Sequence, residues 1–163
     1  MSYINRAIPL DKWCYAEYRD ILTPLTHAFV LNTYDLTGNG ILPSTFNQNI
    51  NGFTLASDSR VTYTGLTPEL IEFNVDIQGL THATSGGTLL EGAIFLNGVV
   101  VANSQIQFQT SNVANDAVPY NYKHELNVNN GDIVDFRIRN LSRTEAGTFR
   151  QFQITIKTIL NLL

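Results

Sequence analysis

Side-chain chemistry needs histidines, cysteines or carboxylates gathered at one place, and this sequence supplies few that could gather. The three histidines are His27, His82 and His124, and no two are spaced as zinc or iron ligands require. Cys14 is the only cysteine, which excludes an internal disulfide and a cysteine-ligated zinc. Set between Trp13 and Tyr15, it reads as a small buried hydrophobe rather than a reactive thiol. No Gly-x-Ser-x-Gly elbow occurs, and neither common glycine-rich phosphate loop is present. Asp35-Leu36-Thr37-Gly38-Asn39-Gly40 opens like a calcium loop, but its twelfth position is Phe46 where a bidentate Glu is required. It reads as a glycine-rich turn. Asn140-Leu141-Ser142 matches a glycosylation acceptor, a motif short enough to arise by chance. The expectation is a protein that is not an enzyme and holds no metal or cofactor.

The elements that must carry any other function are strands. Ile71, Phe73, Val75 and Ile77 alternate with Glu72, Asn74, Asp76 and Gln78. Tyr122, His124, Leu126 and Val128 alternate with Lys123, Glu125 and Asn127. The same period of two runs through Val134–Arg139 and Phe152–Lys157. Strict alternation buries one face and wets the other, as in antiparallel sheets. Weaker strand signals lie at 26–35, 52–57, 60–65, 88–96 and 99–108. Asn97-Gly98 is a specific hairpin signal, because both central residues must accept positive φ. Asn130-Gly131 separates two further strands. Many short strands with turns between them predict an all-β, antiparallel sandwich.

The first 25 residues differ. Asp11 could cap a helix, and Leu10, Cys14, Tyr18, Ile21 and Leu22 fall near helical spacing before Thr23-Pro24. A short helical or extended segment over 1–25 is therefore expected ahead of a head domain over 26–163. Trp13, Tyr15 and Tyr18 could dock it on a partner or fold it back on the base of the sandwich.

Bulk properties narrow the partners. The chain has 163 residues, 44% hydrophobic and 15% charged, enough for one core. A net charge of -4 argues against nucleic acid, since phosphates need a basic face. Arg137, Arg139 and Arg143 are the one basic concentration, and they read as the solvent side of a strand. No run approaches the roughly 20 apolar residues of a membrane helix. The start lacks a signal-peptide pattern, so synthesis in a cytoplasm is expected.

The strand-and-turn series carries a resemblance. Arg60-Val61-Thr62-Tyr63-Thr64-Gly65 leads to Leu70-Ile71-Glu72-Phe73-Asn74-Val75, then to Glu91-Gly92-Ala93-Ile94-Phe95-Leu96-Asn97-Gly98-Val99-Val100-Val101. Leu126-Asn127-Val128-Asn129-Asn130-Gly131-Asp132-Ile133-Val134 and Phe136-Arg137-Ile138-Arg139-Asn140 follow. Over about residues 26–160 this resembles the complement-globular-head and tumour-necrosis-factor-like jelly roll, in particular its versions in phage and virus structural proteins. The resemblance implies about ten strands, a homotrimer, and action by binding or assembly. No collagen-like or coiled-coil pattern is read ahead of the head, which weakens the expectation of a secreted ligand.

The resemblance also distributes roles. Glu72, Asp76, Lys123, Glu125 and Lys157 would lie on one sheet facing neighbouring protomers, or else be ordinary solvated positions. Loops at 79–88, 109–120 and 142–148 could meet a ligand, with Asn112, Asn115, Asp116 and Tyr120 binding sugar hydroxyls and Tyr120 stacking on a ring. The leading expectation is a virion-surface decoration or head-fibre knob attached to a capsid or fibre protein through the N-terminal segment. A receptor- or glycan-binding tail-fibre tip meeting the host surface is the alternative, and a secreted trimeric ligand a further one. A sandwich-fold enzyme would need clustered histidines or paired carboxylates, and the first are absent.

Overall fold

The computed structural model describes residues 12–19, 25–36, 47–56, 58–82, 87–113, 116–142, 145–149 and 151–159. These residues form two seven-stranded antiparallel sheets and no helix. The first holds β1 (Trp13–Arg19), β2 (Leu25–Phe29), β4 (Asn47–Asn51), β7 (Glu69–His82), β11 (Val118–Val128), β13 (Glu145–Phe149) and β14 (Gln151–Thr158). Its order is β2-β13-β7-β14-β1-β4, with β11 paired to β7 as an edge. The second holds β3 (Asp35–Leu36), β5 (Phe53–Leu55), β6 (Val61–Tyr63), β8 (Leu89–Leu96), β9 (Val99–Val100), β10 (Ile106–Gln109) and β12 (Ile133–Asn140). Its order is β10-β8-β12-β6-β5, with β3 on β12 and β9 on β8.

One core joins the two sheets, and the period-two residues build it. Ile71, Phe73, Val75 and Ile77 of β7 are fully buried beside Phe152, Ile154 and Ile156 of β14. Ile94, Val134, Phe136 and Ile138 join them from the second sheet. Gly92 lets the Phe136 ring lie against β8, because a Cβ there would overlap the ring tip. Asn97 and Gly98 both have positive φ, as the hairpin between β8 and β9 demands.

Two expectations are corrected. Trp13–Arg19 is strand β1, not a helix, and it is an interior strand paired with β14 and β4. Cys14 and Ala16 turn inward while Trp13, Tyr15 and Glu17 turn outward, so period two wins over the helical spacing. Over these residues the segment expected to precede the head is part of the sandwich itself. The expected loop at 142–148 likewise contains β13, paired with β2 and β7. Residues 1–11 and the calcium-like turn from Thr37 lie outside the described residues.

The strands run between two ends. At one, the Thr158 amide donates to the Lys12 carbonyl at 3.0 Å, Tyr63 N to Asp132 O at 2.9 Å, and Asn97 N to Ile133 O at 2.8 Å. At the other, Thr110 N donates to Thr88 O at 3.0 Å and Leu141 N to Leu89 O at 2.9 Å. The first and last described strands thus meet at the first end, called the base below.

Candidate functional site

Three of the five residues expected on an assembly face come together on the outward side of the first sheet. Glu72 of β7 sits between two neighbours, with Lys123 Nζ 3.1 Å from Oε2 and Lys157 Nζ 3.1 Å from Oε1. Register explains this: Glu72 opposes Lys157 on β14 and Glu125 on β11, with Lys123 one pair of residues along. Glu125 faces Glu72 as a like charge, which the two lysines offset. Asp76 lies farther up β7 and accepts from Gln78 Nε2 at 3.4 Å, outside the triad. The hydrogen bonds from Lys157 and Lys123 hold the Glu72 carboxyl below its ordinary pKa, against the opposing effect of burial. Glu72 is 16% exposed while Lys123 and Lys157 are 59% and 60% exposed.

The attachment candidates share this face. Trp13 opposes Lys157 in register, and Tyr15 opposes Thr155. The Tyr15 hydroxyl donates to Glu17 at 2.8 Å, and Gln151 Nε2 holds the other Glu17 oxygen at 2.7 Å. Tyr18 belongs to β1, but its side chain lies outside the described residues.

At the end away from the base, Asn112 and Asp116 are exposed, and Ser111 Oγ donates to Asp116 at 2.7 Å. Asn115 lies outside the described residues. Tyr120 does not belong with them: it is in β11, buried, and its ring stacks on Phe108 at 3.9 Å between centroids. The alternation of β11 turns it inward, so it offers no ring to a ligand at the surface. His124 lies half-buried on the inward side of the same edge strand, its Nδ1 3.4 Å from the Tyr122 hydroxyl. Cys14 is buried, and burial pushes its thiol up to about 12.

The second sheet's outward face differs from the expected solvated strand. Arg137 grips Asp135 with Nε at 2.6 Å and Nη2 at 3.0 Å, and its guanidinium lies 4.2 Å from the centroid of Phe95. Arg139 pairs with Glu91 at 2.6 Å and covers the Tyr34 ring at 4.5 Å. Glu91 also accepts from the Tyr34 hydroxyl and from Gln107 Nε2 at 3.2 Å. Tyr34 meets Phe95 edge-on. The alternation of Asp135, Arg137 and Arg139 was legible, but nothing local in the sequence announces that Tyr34 lies over them. Among the described residues, no group of histidines, cysteines and carboxylates is placed to hold a metal, and no helix is long and apolar enough to cross a membrane.

No family model matches the sequence. No curated protein matches it either. Solved structures do match the fold. Eiger TNF from S. frugiperda has a TM-score of 0.56 at 8% identity, covering 93% of this chain and 96% of its own. The PRD1 vertex protein P5 has a TM-score of 0.51 at 12% identity, covering 92% of this chain and 97% of its own. At such identities the likeness speaks for the fold alone: the chain has the jelly-roll sandwich that Eiger TNF and the PRD1 vertex protein P5 share.

Proposed function

We propose that this protein is a non-enzymatic virion structural protein, a trimeric capsid decoration or head-fibre knob displayed on the particle surface. The observation that carries the reading is the outward face of the first sheet. There one half-shielded carboxylate is bracketed by two well-exposed lysines, with Trp13 in register beside Lys157. A face of this kind pairs charge across a subunit contact and supplies an aromatic anchor. The likeness to a vertex protein supports the virion setting. The base, where the chain enters β1 and leaves β14, suits attachment to a capsid or fibre protein through the N-terminal residues that lead into β1. The test is binding of purified protein to particles that lack it. Removal of residues 1–11 should reduce binding at least about tenfold while the protein stays folded; unchanged binding removes the attachment role.

A second reading, a host-receptor or glycan contact, is favoured by Asn112 and Asp116, exposed at the end away from the base. Exchange of loop 110–117 that leaves host-cell binding intact would eliminate it.

A further inference from the structure

The base of the sandwich presents three loops, 64–68, 97–99 and 129–131, and none of their residues is charged. Hydrogen bonds tie these loops into one platform. Asn130 Nδ2 donates to the Gly65 carbonyl at 3.0 Å, and the Tyr63 hydroxyl donates to the Thr67 carbonyl at 2.8 Å. The residues on either side of Leu66 are therefore both held. Asn97 Nδ2 donates to Asp132 at 2.7 Å, which joins the second loop to the third. The charges bordering the platform are engaged within the fold: Asp132 also accepts from Asn129 N at 2.7 Å, and Lys12 pairs with Glu69 at 2.7 Å.

Two apolar side chains stand out from this platform. Leu66 is 94% exposed and Val99 70%, more than any other large hydrophobic among the described residues. A solitary exposed hydrophobic is ordinary on a protein surface. Here two project from the same end, on loops whose backbone is already braced, so a partner that buries them orders little further chain. Apolar side chains within an uncharged amide rim match the buried centre of a subunit contact, where charge is depleted. We infer that the base seats in an uncharged, apolar socket of the capsid or fibre protein that carries this chain, with Leu66 as its anchor and Val99 as a second contact. The inference rests on the attachment reading. Lys12, where residues 1–11 enter β1, is bonded to Tyr63 and Glu69 at the two ends of the Leu66 loop. A partner that holds those residues is thereby brought beside the platform.

The test is binding of the purified full chain to particles that lack it, measured at about 50 mM and about 500 mM salt. Wild-type affinity should change less than about threefold across that range, because the seat contains no ion pair. Leu66→Ser should weaken binding at least about tenfold, as loss of a buried leucine implies. Its urea unfolding should match the wild type, since the side chain already lies in water. Leu89→Ser, at the opposite end of the sandwich and 36% exposed, should bind as the wild type does. Wild-type affinity in Leu66→Ser overturns the inference and leaves attachment to residues 1–11 alone. Equal weakening in Leu89→Ser overturns it, as does binding that falls more than about tenfold with salt, because charges would then carry the contact. Failure of the wild type to bind at either salt removes the attachment reading itself, and the socket with it.

Discussion

The Lys12 ammonium donates to the Tyr63 hydroxyl at 2.8 Å, a bond that reaches from the start of β1 in one sheet to β6 in the other. Lys12 also donates to Glu69 at 2.7 Å, and the Tyr63 hydroxyl donates to the Thr67 carbonyl at 2.8 Å. The base of the sandwich is therefore closed by a short polar relay in a place where the apolar core has ended.

Tyr63→Phe keeps the ring in the core but leaves the Thr67 carbonyl without its donor and Lys12 with one partner fewer. Losing hydrogen bonds at a half-buried site costs about 1–3 kcal/mol. Urea unfolding should show that loss with an unchanged slope. A change of only a few tenths would mean the relay contributes little.

Gly92→Ala places a methyl group where the Phe136 ring tip lies. Phe136 is fully buried, so the strain has no easy outlet and about 1–3 kcal/mol of destabilisation is expected. Thermal melts of Gly92→Ala and of Gly92→Ala with Phe136→Leu separate overlap from backbone effects, since the smaller partner should restore part of the loss.

The Cys14 thiol is buried and pushed up to about 12, so it is protonated and out of reach at neutral pH. Labelling by a thiol reagent should follow the unfolding rate across denaturant concentrations. Rapid stoichiometric labelling of native protein would contradict the placement of β1 inside the sheet.

Glu72→Gln leaves Lys123 and Lys157 facing each other without the carboxylate. In a single protomer the cost should be at most about 1 kcal/mol, because both lysines are exposed. The larger effect should fall on assembly. The folded pKa of Glu72 lies below its ordinary value, so the triad's contribution is present above that ordinary value and is lost as pH falls through the folded one. Urea unfolding across acidic pH should show this small contribution to stability lost at low pH in the wild type, with that pH dependence diminished in Glu72→Gln.

Much of this molecule was legible where alternation was strict and local. β7, β11 and β14 turn alternate residues inward, and that pattern placed Glu72, Lys123 and Lys157 on one wet face, whereas β12 also buries Asp135 on its outward side. Tyr120 was misplaced because the run 109–120 is polar, while β11 begins at Val118 and turns this one ring inward. β1 was misread because the small residues Cys14 and Ala16 carry its buried side, and small residues give a weak period-two signal. β13, Glu145-Ala146-Gly147-Thr148-Phe149, is set by pairing with β2 and β7, a long-range fact that no local pattern holds. The ionic layer over Phe95 depends on Tyr34 arriving from more than fifty residues away.

The central claim is that three copies assemble through the outward face of the first sheet. Light scattering after size exclusion measures it directly at micromolar concentration and neutral pH. The expected mass is about three times the 18.2 kDa of one chain, reduced toward a single chain when Glu72, Lys123 and Lys157 are replaced together. A uniform 18.2 kDa species in the wild type would contradict it.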